Sequence, residues 1–553
     1  MSSLGYLWVY RFLAHSKNAL GERFFALDPP EGRPVSLESG RPLSGFELIA
    51  ASLVLENDYW LLPAILERAG ISPYRKDRTY DGPLVIAGGV GVWSNPWPVI
   101  PFVDLVLVGE GENQWPVIVE KFNRRDFLAL SYLDRLRELS VGVPGALVPS
   151  LIPESMLNFL PEPGAGNNNY NDIFRSDELK LAKGQVGFGP CAQDLGRGVK
   201  SSILKWPFEP ELLPPSSPIL TEKTEFPQTT LVEISRGCPW GCRFCLAGHI
   251  YRPHRPWSSE SILKAAFSLK ERGGRVGLVS SAVADHPELG LIIESLVERE
   301  ASIGLSSMRL SALTEKIAGH LSRAGLNALA VAPEAGSQRL RDIINKNLSE
   351  SEILSSARLL SDYGLKRLKL YFMIGLPEEN DDDLRDIARL VSMVHQATRI
   401  GRKGPKISVS LSNFTPKPQT PFEDWPLLTE EELRNRGQAA SSYLAKIDGV
   451  EVRLDPPKWT IIQGLLAKGG PEAHLLLKAQ MAVAGRPGAA LKMIDYSGDH
   501  PIHRFQSSYK PWRLVEAQVG QAHLAFEADL ARQVKPSPPC PPANGCGRCL
   551  ACD

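Results

Sequence analysis

The 553-residue chain has no excess of charge of either sign: 62 lysines and arginines balance 62 aspartates and glutamates. That balance leaves no field to hold a polyanion, so it argues against nucleic acid as a default partner. Long apolar runs are also missing. Stretches such as "LIAASLVL", from Leu48, fall well short of the roughly 20 residues needed to cross a bilayer, so no membrane span is expected. The start, "MSSLGYLWVYRF", lacks a basic stretch followed by an apolar block and a small-residue cleavage site, which makes the cytoplasm the expected location. Cysteine is sparse as well. Only eight are present, and seven fall into two tight groups whose close spacing suits metal ligation better than disulfides. Cys191 stands alone and reads as a small packed or loop residue.

What is present is length and alternation. A chain of this size exceeds one ordinary core and predicts two or three domains. From about Phe46 to Phe122, strand-like and helix-like stretches alternate: "FELIAASL", "NDYWLLPAILERAGI", "PLVIAGG" and "VDLVLVGEGEN". We read residues 1–142 as a doubly wound, Rossmann-like α/β domain. Its glycine turns, Gly88-Gly89 and Gly109-Glu110-Gly111, fall at carboxyl ends of strands, where such sheets bind ligands. Residues 143–228, rich in proline, glycine and asparagine, read as a linker. From Thr229 the alternation returns with six strand-helix units, from "LVEIS" to "KISVSLSNF". Parallel strands with right-handed crossovers follow, in a number that predicts a partial (β/α)6 barrel of the TIM type over residues 229–428. A mixed, mainly helical region (429–534) and a cysteine-rich tail (535–553) complete the expected organisation.

The first cysteine group, "RGCPWGCRFCLAGH", sits at the end of the first barrel strand and carries Cys238, Cys242 and Cys245. Three thiolates on a cubane of four irons leave one iron without a protein ligand, and an open coordination position is what a metal site needs to bind a cofactor or substrate. A zinc site completed by His249 or His254 and a set of reduced structural thiols are the alternatives at this point.

The loop "CPWGCRFC" resembles the cluster-binding signature of the radical S-adenosylmethionine superfamily. "SSMRLSALT", "LAVAPEAGSQRLRDIINKN", "YFMIGLPEENDDDL" and "NFTPKPQTPFEDW" are similar to successive strand-end motifs of one branch of it, in which a domain like cobalamin-binding domains precedes the radical core. "AGGVGVWSNPWPVIPFVDLVLVGEGEN" resembles the matching N-terminal segment. The resemblance implies an enzyme that binds a 4Fe-4S cluster and S-adenosylmethionine, cleaves the latter reductively and starts radical chemistry, methyl transfer among the outcomes. It implies that Phe244 lies beside the adenine, that Glu334 meets a ribose hydroxyl or the ammonium group, and that Gly375 lets the adenine approach the backbone. Ser306, Ser307 and Arg309 end the third strand, where an arginine suits the cofactor carboxylate. Asn413 and Lys417 are placed toward substrate. Glu334 also reads as a carboxylate at a helix N-terminus, and "PKPQTP" as a stiff turn. One departure stands out: the strand after the cysteine loop ends "LVSSAVADHP", without the glycine pair and glutamate that many members use for the methionyl amino group, which leaves backbone or Ser280 and Ser281 for that contact.

The second group, Cys540, Cys546, Cys549 and Cys552, contains the C-x2-C-x2-C spacing of bacterial ferredoxins. A second iron-sulfur cluster, a structural zinc and an unmetallated tail all fit it. Cobalamin is an open cofactor: the motif Asp-x-His-x-x-Gly is absent, and the domain's one histidine, His15, reads as a helical surface residue. The expected partners are a small-molecule or peptide substrate and an electron donor such as ferredoxin or flavodoxin. No residue is assigned to catalysis. A non-catalytic iron-sulfur scaffold and an RNA-modifying, methylthiotransferase-like enzyme are the competing functions.

Overall fold

The computed structural model describes residues 3–26, 32–78, 81–152, 201–203, 205–206, 213–267, 275–305, 308–310, 313–399, 401, 403–494, 496–498, 500–504, 510–517, 519–540 and 549. Most of the stretch read as a linker, Cys191 included, lies outside these. Two compact units emerge, one from residues 9–206 and 461–517, the other from residues 1–8, 207–460 and 518–553.

In the first unit, β1 (Leu48–Ser52), β2 (Leu84–Gly88) and β3 (Leu105–Leu107) form a parallel sheet in sequential order. The short strand β4 (Ala146–Leu147) closes it antiparallel to β3. Helices α1 (Leu61–Arg68) and α2 (Trp115–Phe122) follow β1 and β3. Leu84, Val85, Ile86 and Ala87 are all buried, the unbroken apolar run that a parallel strand covered on both faces requires. Asp104 is buried at the foot of β3, where its carboxylate accepts from the Val85 backbone N–H (2.7 Å), Arg78 (2.8 Å) and the Tyr132 hydroxyl (2.5 Å). Gly89, just past β2, has φ 109°, and a Cβ there would sit 2.6 Å from the Leu53 carbonyl oxygen. Residues 461–517 pack with this unit; the Asn95 amide donates to the carbonyls of Leu466, Ala467 and Gly469 and satisfies a helix end. His15 is exposed, and its Nδ1 lies 2.8 Å from the Arg11 carbonyl oxygen.

The second unit is a parallel arc. Strand β5 (Thr229–Glu233) pairs with β6 (Arg275–Val279), and β6 with β7 (Ser302–Leu305). A second run joins β8 (Ala328–Glu334), β9 (Arg367–Ile374), β10 (Lys406–Asn413) and β11 (Val450–Leu454). The Met308 N–H donates to the Ala330 carbonyl, which links the segment after β7 to β8. The six expected strands are therefore in place, and β11 adds a seventh in a stretch read as part of the C-terminal region. Helices α3 (Ser259–Phe267), α4 (Leu289–Glu298), α5 (Glu315–Arg323), α6 (Gln338–Ile343), α7 (Glu350–Asp362), α8 (Asp381–Ala397) and α9 (Glu430–Leu444) fall between or after the strands. α10 (Gln521–Arg532) comes late in the chain, and α10 and α6 pack together. Ser349, Asn380 and Thr429 each begin a helix with a reciprocal capping box, which fixes where α7, α8 and α9 start. On β9, Leu368, Leu370, Phe372 and Ile374 are buried while Lys369, Tyr371 and Met373 between them are only half-buried, so one face of the strand is packed shut and the other is more open.

Gly336, between β8 and α6, shows how tightly the helices press on the arc: a Cβ there would lie 2.1 Å from the Ile387 amide nitrogen. Gly336→Ala is expected to destabilise this unit by about 1–3 kcal/mol or more, because backbone rather than a movable side chain must give way. Urea unfolding under anaerobic conditions measures it, and a variant of wild-type stability refutes the close approach.

Candidate active site

The three cysteines of the first group sit on the loop after β5. The loop is pinched at its base, where Ser235–Arg236 pairs antiparallel with Arg255–Pro256. Gly237, at φ 83°, admits the returning chain: a Cβ there would come within 2.4 Å of the Tyr251 carbonyl oxygen and 2.6 Å of that of Pro253. Between Cys238 and Cys242, the indole N–H of Trp240 donates to Asp285 (2.8 Å), and the Arg309 guanidinium lies 3.4 Å from the ring centroid. None of the three cysteines is in a disulfide. Burial, and secondarily the neighbouring Cys242 sulfur, pushes the thiols of Cys238 and Cys245 above their ordinary range. Bare thiols packed this way resist ionising together, whereas bound iron stabilises all three thiolates, so the donor set fits an iron-sulfur cluster. Among the described residues no three His, Cys, Asp or Glu side chains converge on a single metal ion. Thiolates on three corners of a cubane bind three different irons and have no need to converge. Buried His249 places Nε2 3.2 Å from the Cys242 carbonyl oxygen, and burial holds its ring well below the usual histidine range.

A polar network backs the loop. Arg243, fully buried, pairs with Glu527 on α10 and donates to the carbonyls of Asp342 (3.1 Å), Ile343 (2.8 Å) and Lys535 (2.8 Å). Its own N–H donates to the Ile344 carbonyl, and its carbonyl accepts from the Phe422 N–H. Asn345 donates to the Gly241 carbonyl (2.9 Å) and the Ser537 hydroxyl (2.8 Å), while its side-chain oxygen accepts from the Ser537 N–H (2.9 Å). Asn347 reaches the Ser537 carbonyl (3.0 Å). Both asparagines have positive φ, 53° and 48°, a conformation this residue tolerates better than most. The tail is thereby laid against the loop, and the Cys540 N–H donates to the Pro239 carbonyl at 2.7 Å.

On the carboxyl ends of the arc, a register shift near the end of β8 and a φ of 68° present Glu334, whose Oε1 lies 3.2 Å from the Lys346 ammonium. Burial works against the charge on Lys346, but Glu334 and the Cys242 sulfur outweigh it and hold the ammonium above its ordinary range. Arg309, expected at the cofactor carboxylate, instead donates to the backbone carbonyls of Lys346 and Asn347 while stacking on Trp240. Phe244 and Met373 pack on one apolar cluster with Ile343, Leu376, Phe414 and Phe422. Gly375 has φ 79°, and its N–H donates to Glu379 (2.8 Å), whose same oxygen meets Arg436 at 3.0 Å. Asn413, at the end of β10, donates to the Asp455 carbonyl and the Thr460 hydroxyl, and the Lys417 carbonyl caps Thr420. Ser280 is 2.6 Å from the Ser235 hydroxyl and accepts from the Ala282 N–H. Ser306, Ser307, Cys546 and Cys552 lie outside the described residues.

The family described as "Radical SAM superfamily" matches residues 232–391, which span the loop and the strand ends as far as Gly375. "Radical SAM proteins, N-terminal" matches residues 5–149. The chain belongs to the radical S-adenosylmethionine superfamily. An uncharacterized protein of Methanocaldococcus jannaschii is 26% identical over 443 residues, 78% of this chain and 80% of that one. The dual-specificity RNA methyltransferase RlmN of Solidesulfovibrio magneticus is 25% identical over 246 residues, 41% of this chain and 67% of that one. A structure of the radical S-adenosylmethionine methyltransferase TsrM of Kitasatospora setae covers 88% of both chains at 11% identity and a TM-score of 0.47. The radical S-adenosylmethionine chain is an enzyme whose cofactors are a 4Fe-4S cluster and S-adenosylmethionine, and no helix among the described residues is long and apolar enough to cross a membrane.

Several residues of this radical S-adenosylmethionine site escaped the sequence reading: Arg243, Asn345, Lys346, Glu379 and Glu527. The polar run "NKN" after α6 was the available signal, since asparagines bracketing a lysine suit a left-handed turn. Two outcomes are expected. Glu527→Gln strips the counter-charge from Arg243 and should cost about 3 kcal/mol in anaerobic urea unfolding. The Glu379 carboxyl is raised to about 7 by burial, against the opposing pull of the Gly375 N–H and Arg436. A raised carboxyl favours the folded state below its unfolded value and loses that advantage as pH climbs to about 7. Wild type should therefore lose up to about 3 kcal/mol of stability relative to Glu379→Gln between pH 5 and pH 8, and a constant difference would refute the shift.

Proposed function

We propose that this radical S-adenosylmethionine enzyme is a methyltransferase acting on a small-molecule or peptide substrate over the carboxyl ends of the arc. The observation that carries the reading is the half-buried Glu334–Lys346 pair beside the three-cysteine loop, a cation and an anion matched to the amino-acid end of S-adenosylmethionine. When bound, the cluster supplies the electron that breaks the sulfonium's bond to carbon. The chain's own part is to bind and orient. Lys346 takes the cofactor carboxylate and Glu334 its ammonium or a ribose hydroxyl, with charge-assisted bonds sheltered from water. Phe244 offers an apolar wall to the adenine, and Gly375, without a side chain, leaves its backbone open to approach. Arg309 keeps Trp240, and through it the cysteine loop, in one place. Asn413 and Lys417 stand toward substrate.

The methyltransferase name of the RlmN relative supports methyl transfer, and the balanced charge of this chain favours a substrate other than RNA. A one-electron donor of the ferredoxin or flavodoxin class, in the cytoplasm, completes the scheme. His15, the one histidine of residues 1–142, is an exposed helix-end residue bonded to its own helix, and this reading gives it no part in holding cobalamin.

Anaerobic reconstitution followed by dithionite and S-adenosylmethionine tests the reading. Adenosylhomocysteine, with or without deoxyadenosine, is the expected product, and its absence would sink methyl transfer. Lys346→Met should keep the iron content while weakening S-adenosylmethionine binding about tenfold or more, the worth of one buried charged hydrogen bond. Undiminished affinity would remove Lys346 from the cofactor site.

A further inference from the structure

Glu233, Asp285 and Glu334 end or follow three strands around the cysteine loop, β5, β6 and β8. Two of them face a cation. Glu233 takes bonds from Arg236 at 2.8 and 3.1 Å, and Glu334 pairs with Lys346 at 3.2 Å. Asp285 has no such partner. Its one hydrogen bond among the described residues comes to Oδ1 from the neutral Trp240 indole, and Oδ2 bonds nothing. Arg309, stacked on the same indole, donates to the carbonyls of Lys346 and Asn347 and makes no ion pair with Asp285. Burial raises the Asp285 carboxyl, and the pull of the Trp240 N–H and of Arg309 does not make up for it.

The carboxylate is held in place. Asp285 closes a single turn, Val283–Asp285, whose Val283 and Ala284 are buried. The next residue, His286, is fixed by an Nε2 contact of 2.8 Å to the Trp257 carbonyl oxygen and by the Glu288 N–H, which donates to Nδ1 at 3.1 Å. Trp240 lies between Cys238 and Cys242, so this anion stands one indole away from the loop that carries the cluster. A half-buried carboxylate without a cation, beside a cluster whose cysteine ligands make it net negative, is an unfavourable arrangement that a bound cation relieves. Of the two positive groups on S-adenosylmethionine, the ammonium can donate a hydrogen bond and the sulfonium cannot. Ser280, the other side chain at this strand end, is engaged with the Ser235 hydroxyl and the Ala282 N–H.

We infer that Asp285 takes the ammonium of S-adenosylmethionine, with Lys346 on the carboxylate and Glu334, its charge already answered, on a ribose hydroxyl. The inference deepens the proposed function and rests on its placing of Lys346 and Glu334 at the cofactor. A sulfonium nucleoside without the amino-acid end gains nothing from Asp285, so this residue sets a preference for amino-acid sulfoniums.

Equilibrium dialysis tests this on the full chain, reconstituted anaerobically with iron and sulfide and left oxidised so that no ligand is cleaved. Three ligands are compared: S-adenosylmethionine carries ammonium and carboxylate, its decarboxylated form the ammonium alone, and methylthioadenosine neither. Asp285→Asn should bind the first two about tenfold or more weakly at unchanged iron content, and methylthioadenosine as wild type does. Lys346→Met should lose affinity for S-adenosylmethionine but not for the decarboxylated form, and Glu334→Gln for all three alike. Undiminished binding of the decarboxylated form by Asp285→Asn overturns the assignment. So does a loss shared by methylthioadenosine, which would mean that Asp285 acts only by steadying Trp240. Trp240→Phe removes the indole N–H and leaves the carboxylate charged; it should bind the decarboxylated form as tightly as wild type, and a loss equal to that of Asp285→Asn also overturns the contact. Absence of adenosylhomocysteine in the turnover assay would defeat methyl transfer and leave these affinities standing.

Discussion

Placing cations where water cannot reach them is the constraint around which this site is organised. Arg243 lies one residue before Phe244 and two before Cys245, yet its side chain points away from the cofactor face into a pocket made by α6, α10 and the tail. It therefore converts a flexible glycine-rich loop into part of the core. Replacing one of its partners leaves the charge stranded, which is why a residue far along the chain, Glu527, matters to the cysteine loop.

The cofactor face is organised by the same economy. Glu334 is forced into a left-handed conformation at a break in the β8 register, and the strain turns its carboxylate toward Lys346. Lys346 in turn stays charged because Glu334 and the cysteine sulfur surround it. On the proposed reading, this preformed ion pair beside the cysteine loop offers a zwitterionic ligand two points of attachment.

Much of this was legible in the sequence. The parallel arc follows from strand-helix alternation, and the cysteine spacing placed a metal loop at the first strand end that the family resemblance read as iron-sulfur. What the sequence hid was tertiary. Nothing in "CRFC" says that its arginine faces backward to meet Glu527 at a separation of 284 residues, and nothing in "SSMRL" says that Arg309 stacks on Trp240 while Lys346 pairs with Glu334. β11 escaped because "VEVRL", two of its five residues charged and none of them buried, does not look like a strand in a barrel. Positions such as Gly375 and Glu334 were visible as motif residues, but the bonds that fix them run to Glu379 and Lys346, and those are set by turns rather than by periodicity.

The wide separation of Arg243 and Glu527 has a consequence for how the protein comes into being. Residues 238–245 leave the ribosome long before residues 527–540, so throughout synthesis of the barrel the cysteine loop lacks the groups that will later hold its reverse side. A nascent chain at that stage offers the thiols of Cys238, Cys242 and Cys245 on a loop still without its backing, and completion of the C-terminal segment is the event that supplies it.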